Sequence, residues 1–411
     1  MRKKKRKKIF STLVVLVVFV QIFNAASALA TYPIKDEHGV IIVDENNVYE
    51  KTEYYKESLL GIAGGFHLVG FNSVEKNAHI HGNVLTNEFI YNGNFATKEI
   101  NEISYIKNMQ GGIVESTINK NSILVIGKNN IIDTVDNGNA WSINGQKVDA
   151  PRKSESPDSL WKDGEVEFIN LTKVEEYSNS LNVELSELEN TEGITINNTD
   201  ENKQEIVVLD QEYNVYNIKS GDFKFDRPIH IKGFDPEKVS TLIINVDMNN
   251  MTNKEEFYIP NSVAHYTDGT KVSTGEVTVW SNANVVWNIY DSSKEGKLYT
   301  GLIKNTGAVT GSIIGPAAKI ILAQNFNGTA IGKDIIVTAE SHRDDYVNSE
   351  TPLFSDPDPD PDPDPDPDPD PDPDPDPDPD PDPDPDPDPD PDPDPDPDPD
   401  PDPDPDPDPD P

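Results

Sequence analysis

From residue 122 to residue 339 the chain repeats one pattern. Short β-branched runs, "SILVIG", "NIIDTV", "EIVVLD", "TLIINVDM", "EVTVW", "NVVWNIY", "AKIILA" and "DIIVTA", are separated by Gly, Asn and Asp. Runs of this length with such breakers predict strands. Paired turn residues fall at Gly82-Asn83, Asn92-Gly93, Asn137-Gly138, Asn144-Gly145 and Asn327-Gly328. Both residue types tolerate the left-handed backbone of a tight corner. Such corners return once per coil in a β-solenoid, and hairpins of a β-sandwich use the same dipeptides. The pattern alone leaves both architectures open.

One segment has a different period. Ser156-Pro157-Asp158 is a helix-start signal, and Ile169, Leu171, Val174, Tyr177 and Leu181 approximate helical spacing. Glu165, Glu167, Glu175 and Glu176 mark the wet side, and Gly164 is placed to break the first turn. One helix among many strands predicts a helix lying along the flank of a sheet.

The two ends are built on other principles. Residues 1–30 run from seven positive charges in "MRKKKRKK" through an apolar stretch to "ASALA". That order predicts a secretory signal, cut after Ala28 or Ala30, with Thr31 taken as the mature start and no transmembrane segment afterwards. From Asp356 to Pro411 the chain is Asp-Pro repeated 28 times. Proline removes half the amide donors and biases each preceding Asp towards extended backbone. The expectation is a disordered, extended stalk over 351–411, of which the 56 repeat residues reach about 170 Å at full stretch. The chain stops inside the repeat, which leaves two expectations open: cell-wall attachment beyond this sequence, or release.

The net charge is −41 over 411 residues, and setting aside both ends leaves −20 on residues 31–355. Such a surface excludes nucleic acid as a partner through long-range attraction. The chain has no cysteine. An exported domain without disulfides must fold on its core alone, which suits a Gram-positive surface protein.

Several stretches resemble one family. "LLGIAGGFHLVGFNSVEKNAHIHGNVLTN" is similar to the opening of the choice-of-anchor A family of bacterial surface proteins. "VEFINLTKVEEYSNSLN" stands where that family has its helix, and "TLIINV" is similar to its buried strand. "VVWNIYDSS" and "GSIIGPAAKIILAQNFNGTAIGKDIIVTAESH" resemble its closing signature. The family's Ala-Pro step stands here as Gly315-Pro316, and its final Gly-Glu-x-His as Ala339-Glu340-Ser341-His342. The resemblance implies a right-handed β-solenoid with one flanking α-helix over 55–350, after a lead-in at 31–54. It also implies an adhesive head on cell surfaces, with no established catalytic residues.

The candidate chemistry is sparse. His79 and His81 in "NAHIHGN" would share one face of a strand, which is half of a metal site. No further ligand stands nearby in sequence, and the matching family positions are often acidic, so a solvated strand face is expected. Glu340 and His342 could pair as base and acid, but the resemblance favours a polar capping interaction on a terminal rung. Asp344 and Asp345 with Glu340 lack an EF-hand spacing. "GIAGG" at 61–65 lacks the Lys-Ser/Thr of a phosphate loop. Trp141, Trp161, Trp280 and Trp287 could include a sugar platform, though buried packing is the commoner use. No catalytic, cofactor-binding or metal-ligating residue is assigned. The expectation is a non-enzymatic secreted adhesin for a polysaccharide or host matrix protein. The alternatives are a polysaccharide-degrading β-helix enzyme and an ice-binding protein.

Overall fold

The computed structural model describes residues 33–354, apart from 57, 91–94, 99, 111–121, 149–152 and 273–278. The expected export signal, the Asp-Pro repeat and the Asn92-Gly93 pair lie outside the described residues, as does most of "EVTVW".

Leu68–Lys76 lies in a first sheet, Ile80–His81 in a second, and Val84–Ile90 returns to the first, parallel to Leu68–Lys76. Parallel neighbours cannot be joined by a hairpin, so each return is one turn of a coil. The second half repeats the step. Gln204–Val207, Ile229–Phe234, Ser262–Tyr266, Val309–Thr310, Phe326–Asn327 and Ser341–His342 fall in the second sheet. Tyr213–Ile218, Ser240–Asp247, Ala283–Tyr290, Ser312–Leu322 and Ala330–Val337 alternate with them in the first. Register shifts at Gly70/Ser73 and Gly315/Lys319 bend their strands and begin a third side of the coil. The domain is mostly β, mainly parallel and coiled, as expected of a solenoid.

The coils are not stacked in chain order. Leu68–Lys76 sits in mid-sheet, between Val84–Ile90 and Ala330–Val337. From there the chain winds outward through Ile103–Gln110 and Ile123–Ile126 to Leu160–Asp163, with Ile41–Val43 at the edge. It then passes to the far end and winds back until Ala330–Val337 closes on Leu68–Lys76. The helix Leu171–Ser186 lies on that passage. Its 16 residues rise about 24 Å, roughly five strand spacings.

Helix formation begins later than its signal. Asn170 is the cap, its Oδ1 accepting the Lys173 amide at 3.1 Å. Ser156-Pro157-Asp158 instead opens a turn before the strand Leu160–Asp163. Pro and Asp start turns as readily as helices, and Leu160 is drawn into the core between two parallel neighbours. Leu171, Val174, Ser178, Leu181, Asn182 and Leu185 form the buried stripe. Tyr177, expected on it, is 45% exposed, and its hydroxyl donates to the Leu59 carbonyl.

The stripe covers part of a row of the first sheet in which Val69, Leu85, Tyr105, Ile314 and Ile331 are buried outside the coil, with Tyr105 packed against Phe168. A second cluster, including Leu68, Ile80, Trp287 and Ile335, fills the inside of the coil. The central strands of the first sheet are therefore apolar on both faces.

Polar residues interrupt this row at one place. Asn217, Asn245 and Asn288 are register neighbours, and each donates a side-chain hydrogen bond to a backbone carbonyl in 182–188. They tie the last turn of the helix and the residues just after it to the sheet.

The Asn-Gly pairs divide between two uses. Asn327-Gly328 is a coil corner, where a Cβ on Gly328 would stand 1.8 Å from the Gly311 carbonyl oxygen. Gly82-Asn83 is the expected corner after Ile80–His81, with Asn83 donating to the Gly65 and Ile103 carbonyls. Asn144-Gly145, with φ of +51° and +80°, instead turns an antiparallel hairpin between Ala140–Ile143 and Gln146–Lys147.

Candidate functional site

The outer face of the second sheet carries one polar row. Pairing aligns Glu205 with His230, and His230 with Val263. It also aligns Thr310 with Asn327, Asn327 with His342, and His342 with His81. Their in-strand neighbours Ile206, Ile231, Ala264, Val309, Phe326, Ser341 and Ile80 point into the coil and are buried. Alternation therefore puts the row outside the coil, at strand spacings of about 4.8 Å; Glu205, His230, Val263 and Asn327 are part-exposed there, whereas Thr310, His342 and His81 are buried. His79, His81, His230, His265 and His342 all belong to this face, five of the chain's 7 histidines.

At one end of the row the first and last coils meet. Ser341 donates its amide to the His79 carbonyl, and Arg343 to that of His81. This brings Glu340 beside the histidine pair. His81 Nε2 lies 3.1 Å from Glu340 Oε1, and one ligand atom from each of His79, His81 and Glu340 lies within 4.8 Å of the others. His79 and Glu340 are exposed, whereas His81 is 8% exposed. The His81 ring stacks on His342, 4.7 Å between centres and 9° from parallel, and its Nδ1 meets Thr97 Oγ1 at 2.9 Å. The sequence reading saw two ligands; the third comes from 259 residues away and no local spacing could show it. Glu340 is hydrogen-bonded to His81 across the seam.

Towards the other end, His230 Nδ1 approaches His265 Nε2 at 3.4 Å. Burial, and then His265, lowers the His230 pKa. Lys232 is paired with Glu205 beside them. These residues line an open hollow of about 670 Å³ with Tyr266 and Thr267.

Behind the seam lies a buried ionic cluster. Arg343 grips Asp345 with two hydrogen bonds, of 2.6 and 2.9 Å, and reaches Glu102 at 3.0 Å and the Gly65 carbonyl at 2.8 Å. Lys56 reaches Asp345 at 2.6 Å. Burial would raise the Asp345 carboxyl, but Arg343 and then Lys56 outweigh it and hold it below the ordinary range. Burial wins at Glu102, pushing its carboxyl up to about 7 against the pull of Arg343. The cluster floors a cleft of about 260 Å³, with Trp280 on its wall. Lys98 Nζ and Arg343 lie 5.1 and 5.6 Å from the Trp280 ring centre. No spacing in the sequence links these residues; Arg343 next to two aspartates was the one local sign.

The other candidates are structural. Trp141 and Trp287 are buried in the core, and Trp161 packs edge-on against Phe168. Gly61–Gly65 forms a tight 3-10 turn against Tyr49, Ser58 and Tyr177. Asp345 is bound by Arg343 and Lys56, so no Asp344–Asp345–Glu340 calcium set forms around it. Among the described residues, no helix is long and apolar enough to cross a membrane.

Comparison with known proteins adds a family. An ice-binding protein of the Antarctic ascomycete Antarctomyces psychrotrophicus is similar at 11% identity, covering 71% of this chain and 98% of its own, with a TM-score of 0.27. The ice-binding protein LeIBP of an Arctic yeast is similar at 9% identity, covering 73% and 100%, with a TM-score of 0.27. No curated protein matches the chain. A family model described as "Putative Ice-binding-like adhesive domain" matches residues 59–343, and the chain belongs to that family.

Proposed function

We propose that this protein is a non-enzymatic adhesin of a bacterial cell surface, holding an extended extracellular ligand on the outer face of the second sheet. The observation that carries the reading is the part-exposed portion of that row, Glu205, His230, Val263 and Asn327, set at the strand spacing of a rigid coil. A polymer with a regular repeat, a polysaccharide or a fibrous matrix protein, presents groups that such a row can meet many times over. Many weak contacts on one rigid surface add up without a deep pocket. Membership of an adhesive-domain family supports it. The signal-like start and the Asp-Pro repeat fit export and a spacer beneath the head. A binding screen of the chain against glycans and matrix proteins tests the reading.

Two other activities are weighed against particular residues. An ice-binding face wants small, Thr-rich positions in register, and the row named above has Thr310 as its one threonine. No thermal hysteresis is expected. A polysaccharide-cleaving enzyme would use a carboxylate beside a cation in a groove, as Glu102 and Arg343 are in the seam cleft. The Glu102 side chain is fully buried and bound to Arg343, so it cannot reach a sugar without breaking that pair. Product assays on the glycans that bind should find no cleavage.

A further inference from the structure

We propose that His79, His81 and Glu340 form a binding site for a divalent metal of the zinc class on the outer face of the second sheet. The proposal stands independently of adhesion.

Three observations carry it. The first is the donor set. Two imidazoles and a carboxylate, with ligand atoms within 4.8 Å of one another, suit zinc, cobalt, nickel or copper. Calcium and magnesium prefer all-oxygen sets. Tetrahedral donors about 2.1 Å from zinc stand roughly 3.4 Å apart. His81 Nε2 and Glu340 Oε1 are already at 3.1 Å, and the exposed His79 can rotate to complete the set.

The second observation is the support behind His81. When Nε2 carries a metal, Nδ1 carries the proton and needs an acceptor. Thr97 Oγ1 stands 2.9 Å from Nδ1. A hydrogen bond there fixes both tautomer and ring plane, as outer partners of metal-bound histidines do. The parallel His342 ring further restricts rotation. The third is the framework. His81 ends the short strand Ile80–His81, His79 stands one residue before it, and Glu340 stands one residue before the parallel strand Ser341–His342. The His79 carbonyl accepts the Ser341 amide and the Glu340 carbonyl the Phe326 amide, so both flanking donors are tied to the paired strands.

Three donors leave a tetrahedral ion at least one position, here facing solvent, for water or an oxygen of a bound molecule. The metal would also join the first coil to the last. The rival reading of the same geometry is a plain His81–Glu340 hydrogen bond with no affinity for metal.

The test uses the mature chain, residues 31–411, stripped with a chelator and titrated with zinc chloride by calorimetry. Cobalt(II) absorption gives a second reading of the donor set. We expect one saturable equivalent with wild type, a melting temperature raised by zinc, and affinity lowered at least tenfold by His79→Ala and by Glu340→Gln. Both substituted side chains are exposed, and melting in chelator confirms that each variant folds. The acidic repeat is present in every sample, so any metal it takes up appears equally in all of them. No saturable equivalent, or the same isotherm for wild type and both variants, would overturn the proposal.

Discussion

Asn288 Nδ2 donates to Asn245 Oδ1 over 2.8 Å and to the Asn182 carbonyl over 3.0 Å. Asn182 returns a bond of 2.6 Å to Asn288 Oδ1, and Asn245 continues the chain to Asn217 over 2.8 Å. Asn182, Asn245 and Asn288 are fully or almost fully buried. The ladder ties the helix to three successive coils and leaves few of its polar atoms open. A network of this kind is stabilising when complete and costly when broken.

Asn288→Ala should therefore destabilise the domain by about 2–4 kcal/mol, because it strips the buried Asn182 carbonyl and Asn245 Oδ1 of a donor and removes one acceptor of Asn182 Nδ2. Urea unfolding, read by the midpoint at unchanged slope, measures it. A loss below about 0.5 kcal/mol, the level of a surface change, would show that the ladder contributes little.

Leu181 lies on the buried helix stripe, 2% exposed. Leu181→Ala should cost about 2–4 kcal/mol, through lost burial and the cavity left behind. Melting and denaturant curves test this. Wild-type stability would mean that the helix is not docked on the first sheet.

The apolar part of this fold was legible in the sequence. "TLIINV" and "NVVWNIY" read as strands because central strands of a parallel sheet are apolar on both faces. Leu171, Val174 and Leu181 kept helical spacing because the helix must cover that sheet. The ladder was visible only as an oddity, since Asn245 and Asn288 are polar residues inside apolar runs. The pairing of Leu68–Lys76 with Ala330–Val337 was not legible from spacing. Nothing local marks a strand for a partner some 260 residues away, and the metal-donor trio and the Arg343–Glu102 pair depend on that same closure.

His67 gives the fold a pH dependence. It is fully buried, with Nδ1 donating to the Gly328 carbonyl at 2.6 Å and Nε2 accepting from Ser341 Oγ at 2.9 Å. Burial pushes its imidazole down to about 3. Between the ordinary imidazole value of about 6.5 and that lowered value, the unfolded chain binds a proton that the folded chain refuses. Stability should fall as pH drops through this window, by about 3 kcal/mol at pH 4.3. In His67→Gln the slope should be shallower, whatever its stability at pH 7. Equal slopes across pH 7 to 4 would assign the acid sensitivity to other groups.

The central claim is that the outer face of the second sheet holds an extracellular polymer. The direct measurement is binding of the mature chain to a panel of glycans and matrix proteins, set beside the variant Val263→Glu with Asn327→Glu. Both substitutions place charge in mid-row, outside the coil. The account predicts at least one saturable ligand for wild type, released uncleaved, and at least a tenfold loss in a variant that melts normally. Binding that ignores the substitutions, binding that ends in cleavage, or no binding to any polymer of either class would contradict it.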